Sequence, residues 1–288
     1  MKGWVIFLLA AWMGPVGVAE EVEALLVRAT RYGNTEERRE EKAVARAEIR
    51  DRMPELFGEI LGRIHIPNIG LQVLALELVM EADPDAVFPV LAEAARGERE
   101  ETRRLATFML SLLPARDEVD VLMERLEDEA TRGGAIRALG QWRVESAAPD
   151  LIPYLSSTNE RIRIVTANAL RTLGATTAAP ALVDALDDPY ATVRNAAAWA
   201  LVGSGEAVLP ALEEGLERAT SARQQRQILR ILYEMNSEAA TAALSKEWAD
   251  LAPSAVHDLM WLRGLRAGTG KQDGMGIDGP LFGERGED

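Results

Sequence analysis

The sequence has no cysteine, few histidines and few aromatic residues. Its 288 residues include two histidines, and Phe, Trp and Tyr together make up 5%. Without cysteine the chain has no disulfide framework, thiol nucleophile, zinc finger or iron–sulfur cluster. The two histidines, His65 and His257, are 192 positions apart, so no local histidine pair can hold a metal. These absences exclude several classes of enzyme and metalloprotein.

The charge balance is acidic. Asp and Glu number 46 against 32 Lys and Arg, which gives a formal net charge of −14. Nucleic-acid-binding proteins draw much of their affinity from Lys and Arg against phosphate, so the balance predicts no nucleic-acid partner. Hydrophobic residues make up 48% of the chain, enough for a large core, and the scarcity of aromatics makes that core aliphatic.

The first nineteen residues have the pattern of a secretory signal peptide. Lys2 is the only charge before Glu20, and the apolar run WVIFLLAAWM follows it. Gly17 and Ala19 put small residues three and one positions before a cleavage site that follows Ala19. We therefore expect an exported protein, periplasmic or extracellular, with no membrane span after cleavage. An uncleaved anchor is the alternative, although a span needs about 20 apolar residues.

The body of the chain repeats with a period close to 31 residues. APDLIPYL, starting at Ala148, aligns with APALVDAL, starting at Ala179, and similar apolar positions follow each of them at helical spacing. Strand signals are almost absent. Each unit is predicted to be two helices, with a left-handed glycine ending the first helix and a proline in the first turn of the second. The glycines are Gly140, Gly174 and Gly205, and the prolines are Pro149, Pro180 and Pro210.

This pattern resembles the HEAT repeat, in the short form of about 30 residues found in the phycobilin lyase family. LGATTAAPALVDALDDPYATVRNAAAWAL, from Leu173 to Leu201, carries the resemblance best. The resemblance implies an all-α fold, an α-solenoid built as a right-handed stack of helical hairpins. It does not imply one function, because such repeats serve lyases, hydroxylases, adaptors and scaffolds alike.

The repeat divides the chain into five regions. N-terminal and C-terminal helices are expected to cap the stack, because an uncapped stack exposes apolar surface at each end. Asn34 is the predicted N-cap of the helical segment 35–63, with Glu37 completing a capping box. The regions are a signal peptide (1–19), capping helices (20–68), six repeats (69–99, 100–128, 129–157, 158–188, 189–219 and 220–250), a capping helix (251–263) and a Gly-rich disordered tail (264–288).

Motifs that would carry enzyme chemistry are incomplete. One di-iron hydroxylase family of HEAT proteins places His-Glu pairs on its helices, but Ile66 follows His65 and Asp258 follows His257 here. The segment 268–271, GTGK, lacks the earlier glycine and the following Ser or Thr of a phosphate-binding loop. The sequence therefore predicts a non-enzymatic protein with no catalytic residues, no metal and no cofactor.

A row of arginines opens the first helices of four successive units. Acidic residues precede several of them, so we predict a structural ladder of Arg–carboxylate pairs that joins neighbouring turns, since guanidinium groups match carboxylates in shape and charge. Ligand binding is the alternative. The arginines are Arg103, Arg132, Arg163 and Arg194.

A second row, on the second helices, is acidic. The resemblance to HEAT stacks places second helices on the concave surface, where carboxylates would attract a basic partner segment. A solvated helix face is the competing interpretation. The equivalent positions hold Glu93, Glu124, Pro153, Asp184, Glu214 and Glu247.

The predicted function is that of an exported scaffold which binds a protein or peptide partner, with a basic segment as the candidate ligand. Two alternatives stay open: a lyase-like enzyme or chaperone acting on a chromophore-bearing protein, and an envelope assembly factor that acts through its tail, with Pro280-Leu281-Phe282 as a docking element. The sequence does not indicate an oligomeric state.

Overall fold

A computed structural model describes residues 16–31, 33, 35–53, 56–63, 69–235 and 237–247. For residues 16–19 and 244–247 it describes the backbone only. Several predicted features lie outside the described residues. They are the first fifteen residues of the leader, Asn34, His65, His257, the capping helix 251–263, and the tail 264–288 with its Pro280-Leu281-Phe282 element.

The described residues form α-helices and short 3-10 helices without a β-strand, and the predicted all-α solenoid fold is confirmed. The helices are α1 (Val16–Thr30), α2 (Glu36–Asp51), α3 (Phe57–Gly62), α4 (Ile69–Glu81), α5 (Pro84–Arg96), α6 (Glu100–Leu110), α7 (Asp120–Glu124), α8 (Glu129–Gln141), α9 (Ala148–Leu151), α10 (Glu160–Leu173), α11 (Ala179–Asp184), α12 (Ala191–Gly203), α13 (Leu209–Arg218), α14 (Ala222–Met235) and α15 (Glu238–Glu247). The 3-10 segments are Glu145–Ala147, Ile152–Ser156, Thr176–Ala178, Ala185–Asp187 and Gly205–Val208.

The chain forms two compact units, residues 1–138 and 139–288. In the N-terminal unit, α1 packs on α2 and α4, and α5 packs on α6. Arg46 and Arg50 of α2 pair with Glu77 and Glu81 of α4 and hold the first hairpin to the next one. Among the described residues of the two units, no helix is both apolar enough and long enough to span a bilayer.

Helix α1 lies mostly within the predicted capping region 20–68, ahead of the helical segment predicted from residue 35, and it begins four residues before that region. Val22, Leu25, Leu26 and Ala29 of α1 are all buried. Their spacing of three and four residues gives one apolar face, and that face packs into the N-terminal unit. The helix begins at Val16, before the predicted cleavage site that follows Ala19.

The C-terminal unit is a stack of two layers. First helices α10, α12 and α14 pack side by side in one layer, and second helices α11, α13 and α15 pack side by side in the other. Small side chains fill much of the interface between first helices, among them the buried Ala167, Ala169, Ala197 and Ala200. Each step from one hairpin to the next therefore adds one helix to each layer.

The left-handed residue that ends each first helix differs from the prediction at one position. Gly174 and Gly205 have φ of 63° and 64°, as expected of a glycine C-cap. The preceding equivalent, 31 residues before Gly174, is Arg143, with φ of 55°. Gly140 was wrongly predicted as this cap. It lies inside α8, where an added Cβ would stand 2.8 Å from the Cα of Ala169, so this glycine allows two helices to approach closely.

The N-cap of α2 is also one residue away from its predicted place. Thr35 occupies the cap position with an extended backbone, and its hydroxyl oxygen accepts a hydrogen bond of 3.4 Å from the backbone N–H of Arg38. A threonine oxygen satisfies a free N–H of the first turn in the same way as the predicted asparagine would. The helix therefore begins at Glu36, one residue after the predicted start.

Candidate interaction surface

The four arginines of the row have the same side-chain geometry in four successive repeats. Each guanidinium turns back toward its own N-terminal loop and donates to the carbonyl oxygens of the residues six and five positions earlier. The bonds run from Arg103 to Gly97 (3.3 Å) and Glu98 (2.6 Å), from Arg132 to Leu126 (2.8 Å) and Glu127 (3.1 Å), from Arg163 to Ser157 (2.8 Å) and Thr158 (3.3 Å), and from Arg194 to Asp188 (2.9 Å) and Pro189 (3.0 Å).

Two of these arginines also reach a carboxylate 25 residues further on. Arg103 donates to Asp128 at 2.8 Å, and Arg163 donates to both oxygens of Asp188 at 2.7 and 3.1 Å. Each aspartate in turn accepts a backbone N–H at the start of the next first helix, Asp188 from Tyr190 at 2.9 Å. At both positions an Arg–carboxylate pair joins one repeat to the next.

The other two arginines have no carboxylate at the corresponding position. The residue 25 positions after Arg132 is Ser157, and the residue 25 positions after Arg194 is Ala219. All four arginines therefore share the hydrogen bonds to two loop carbonyls. The carboxylate 25 residues further on is present only for Arg103 and Arg163. This geometry holds the loop before each first helix in place.

Burial and pKa support a structural role for these arginines. Arg163 and Arg194 are 8% and 6% exposed. The hydrogen bond to Asp188 raises the pKa of Arg163 above its usual value, against the lowering effect of burial. Burial acts to raise the pKa of Asp128, but hydrogen bonds from Arg103 and from the N–H of Ala130 outweigh it and lower that pKa.

A fifth member of the row was not recognised in the sequence. Gln225 lies 31 residues after Arg194, and its Nε2 donates to the carbonyl of Ala219, six residues earlier, at 3.4 Å. A neutral amide thus makes one of the two loop contacts that arginine makes elsewhere. The repeat period alone locates this residue, but as a neutral amide it does not belong to a row that is defined by charge.

In the N-terminal unit the acidic row is tied to an arginine. Glu124 accepts two hydrogen bonds from Arg96, at 2.8 and 3.2 Å, and this contact lowers the pKa of Glu124. The nearby carboxylate of Glu93 also favours the charged form of Arg96. Two carboxylates of the row therefore share one cation, which reduces the local negative charge.

In the C-terminal unit the row is more exposed. Asp184 and Glu214 lie 3.9 and 3.5 Å from Arg218, and their side chains are 68% and 62% exposed. Pro153 is exposed at the preceding position, and Glu247 lies on α15 with its side chain outside the described residues. The structure thus brings Asp184 and Glu214 together around one arginine on neighbouring second helices.

The two layers of the C-terminal unit carry opposite charge. We call the second-helix segments 148–156, 179–187 and 209–218 the acidic layer, and the first helices α10, α12 and α14 the basic layer. The acidic layer holds Asp150, Asp184, Asp187, Glu213, Glu214 and Glu217 against Arg218. The basic layer holds Arg161, Arg163, Arg171, Arg194, Arg223, Arg226 and Arg230 against Glu160 and Glu234.

Metal coordination finds no support in the described part of the chain. The Asp and Glu side chains of that part nowhere form a group of three or more that could hold a metal ion. The surface consists of carboxylates, guanidinium groups and exposed prolines, which are groups for ion pairing, hydrogen bonding and packing against another macromolecule.

Two family models match the chain. Residues 119–202 match HEAT repeats, and residues 193–218 match the PBS lyase HEAT-like repeat. The predicted resemblance to short HEAT repeats is confirmed for these residues. A comparison with curated proteins found no match. Residues 119–218 are thus the part of this all-α solenoid that is similar to HEAT repeats.

Solved structures of similar fold share less than a fifth of their residues with this chain. An engineered protein matches with a TM-score of 0.45 and 18% identity over 85% of this chain and 77% of its own. A designed armadillo repeat protein in complex with the peptide (KR)4 matches at 0.41 and 17%, over 62% and 99%. The CpcE–CpcF complex of phycocyanin lyase from Nostoc matches at 0.40 and 17%, over 78% and 92%.

Proposed function

We propose that the protein is a non-enzymatic scaffold which binds a basic segment of a protein or peptide partner on the acidic layer. The observation that carries this proposal is the excess of six carboxylates over one arginine in that layer. Two ion pairs of that layer, from Asp184 and Glu214, involve Arg218. Five of the six carboxylates are exposed and Glu213 is half-buried, so most of this negative charge faces solvent.

Such a surface favours an extended basic ligand for electrostatic reasons. Like charges on neighbouring helices add to one field, and a cationic segment that lies across the helices meets several carboxylates at once. Exposed pairs are individually weak, about 0.2 to 1 kcal/mol each, so affinity must come from several contacts and must fall with salt. A segment of several lysines or arginines meets this requirement.

The arginine row and the N-terminal unit have lesser parts in this proposal. Arg163 and Arg194 are occupied with loop carbonyls and buried, so they hold the hairpins in register. Glu93 and Glu124 share Arg96, which leaves them with less charge to offer. The binding surface is therefore assigned to the acidic layer around Asp184 and Glu214.

Charge reversal tests the proposal. The variant Asp184→Lys, Glu214→Lys, Glu217→Lys is expected to bind a fluorescent octalysine peptide at least tenfold more weakly than the wild type, measured by anisotropy. The control Glu36→Lys, Glu37→Lys, Glu40→Lys makes the same change of charge on exposed positions of α2. Equal weakening by both variants would mean that net charge alone drives binding and would refute the assignment.

We further propose that the protein acts outside the cytoplasm after removal of its leader. Cleavage after Ala19 removes the first four residues of α1 and leaves its buried face at Val22, Leu25, Leu26 and Ala29 intact. N-terminal sequencing of the protein from the envelope or medium should give Glu20 as the first residue. A chain that keeps its leader and stays with the membrane fraction would contradict this.

A chromophore-directed activity is the second candidate function. It is favoured by the match of residues 193–218 to a repeat that is named after a lyase. A protein of this kind would bind a pigment or pigment-bearing partner and absorb visible light after purification from its source. The alternative would be dismissed if the purified protein absorbed only ultraviolet light, and still did so after incubation with a bilin and removal of the unbound pigment.

A further inference from the structure

The basic layer is a second surface that the proposed function leaves unused. Arg161, Thr192 and Arg223 follow each other at intervals of 31 residues and form one row across α10, α12 and α14. All three are exposed, as is Arg171. The centre of the same layer carries Trp199, which is 39% exposed. Arginine and tryptophan are the residue types that most often anchor interfaces.

The acidic layer offers the complementary groups. Asp184 and Glu214 stand on neighbouring second helices, and exposed prolines at 149, 180 and 210 run beside them. The arginines of the basic row stand two repeats apart, whereas these two carboxylates stand one repeat apart. The two surfaces therefore match in charge and exposure rather than in period.

We infer that two copies of this protein associate with the basic layer of one C-terminal unit on the acidic layer of the other. The inference rests on the proposed function, since it takes the acidic layer to be a binding surface, and it names a second copy as a partner. Arginines of one copy face carboxylates of the next, and Trp199 of one copy packs on the exposed prolines of its partner.

Charge complementarity carries the choice of a second copy. The basic layer has four exposed arginines, Arg161, Arg171, Arg223 and Arg226, and the acidic layer has five exposed carboxylates and one exposed arginine. The net charge of −14 opposes association at long range. At physiological salt, however, exposed charges are screened beyond about 8 Å, so the facing rows determine the energy of contact. Because the two surfaces differ, the contact is heterologous and can continue into a third copy.

Two neutralising variants and their mixture test this inference in the full mature chain. The basic-layer variant is Arg161→Gln, Arg171→Gln, Arg223→Gln, and the acidic-layer variant is Asp184→Asn, Glu214→Gln, Glu217→Gln. Sedimentation velocity at low and physiological salt should show wild-type association that grows with concentration. Each variant alone should associate at least tenfold more weakly. Their equimolar mixture should form one-to-one dimers and nothing larger, since one intact contact remains.

Each other outcome overturns the inference. A wild type that stays monomeric at several hundred micromolar and low salt would overturn it, and so would variants that associate as strongly as the wild type. A mixture that shows no dimer would exclude a heterologous contact. Thermal unfolding checks that both variants are folded. The octalysine assay separates the two proposals, because the basic-layer variant should still bind the peptide even if the copies do not associate.

Discussion

Single residues show how the repeat holds its loops. Four arginines and one glutamine direct their side chains to the carbonyl six residues earlier, and in two cases an aspartate of the next unit completes the contact. The side chains that donate were visible in the sequence. Their main acceptors were not, because backbone carbonyls carry no sequence signal and their direction depends on the path of the loop.

The pair Arg163–Asp188 allows a direct test of the ladder. Asp188→Asn keeps a side-chain oxygen that can accept the N–H of Tyr190. It removes the negative charge beside the guanidinium of Arg163, a residue that is only 8% exposed. We expect a loss of about 2 kcal/mol in the free energy of unfolding, measured with urea, since hydrogen bonds to charged groups are worth about 1.5 to 3 kcal/mol. The matched Asp184→Asn, on an exposed carboxylate, should change it by less than about 0.5 kcal/mol. Equal effects would contradict this role.

Asp128 links stability to pH. Its pKa is lowered in the folded state by Arg103 and the N–H of Ala130, despite burial, so its stabilising effect is complete above the unfolded pKa, near 3.9. That contribution is lost as pH falls through the lower folded value. Urea unfolding from pH 6 down to pH 3 should show a smaller loss of stability in Asp128→Asn than in the wild type. Parallel profiles would contradict the assignment.

Arg143 occupies a backbone conformation that suits glycine. Its φ of 55° matches the 63° of Gly174 and the 64° of Gly205 at the same repeat position. A left-handed conformation costs a residue with a Cβ about 1 kcal/mol, so Arg143→Gly should raise the free energy of unfolding by up to about that amount. Arg143→Ala removes the same exposed side chain without relieving the backbone. A gain in Arg143→Ala as large as in Arg143→Gly would show that the backbone is not the cause.

Among the helices, those with a strong period were predictable and those at the ends were not. Helical segments follow one another through the described residues between 69 and 247, where apolar spacing and proline positions recur. The start of helix α1 was not predicted, because its first four residues belong to the predicted leader and only its later residues fall in the predicted capping region 20–68. Gly140 was misread because a glycine near a helix end suggests a cap as readily as a close packing contact.

The packing role of Gly140 predicts opposite effects for two similar substitutions. Gly140→Ala places a Cβ 2.8 Å from the Cα and Cβ of Ala169, so α8 or α10 must move, and we expect a loss of about 1 to 3 kcal/mol. Gly203→Ala, in α12, meets only the flexible side chain of Arg171 at 3.6 Å and should be neutral or stabilising by about 0.5 to 1 kcal/mol. Chemical denaturation of both variants tests this, and a stable Gly140→Ala protein would contradict it.

At the scale of the whole molecule, the proposed function rests on the segregation of charge between the two layers of the C-terminal unit. The sequence pointed to an acidic row by aligning second helices, and Asp184 and Glu214 do share a surface. The sequence also pointed to arginines on the first helices, of which Arg163 and Arg194 are buried. The exposed Arg161 and Arg223 were not predicted, although they lie at equivalent repeat positions, and the packing of α10, α12 and α14 side by side brings them into one layer.

The measurement that tests this account most directly is affinity capture of the partner by the mature chain. Mature wild type and the variant Asp184→Lys, Glu214→Lys, Glu217→Lys would be incubated with the envelope fraction of the source cells, and bound proteins quantified by mass spectrometry. The account predicts that proteins with clustered lysines or arginines bind the wild type and that their recovery falls at least tenfold with the variant. Equal recovery of the same proteins by both would contradict the assignment of the acidic layer as the binding surface.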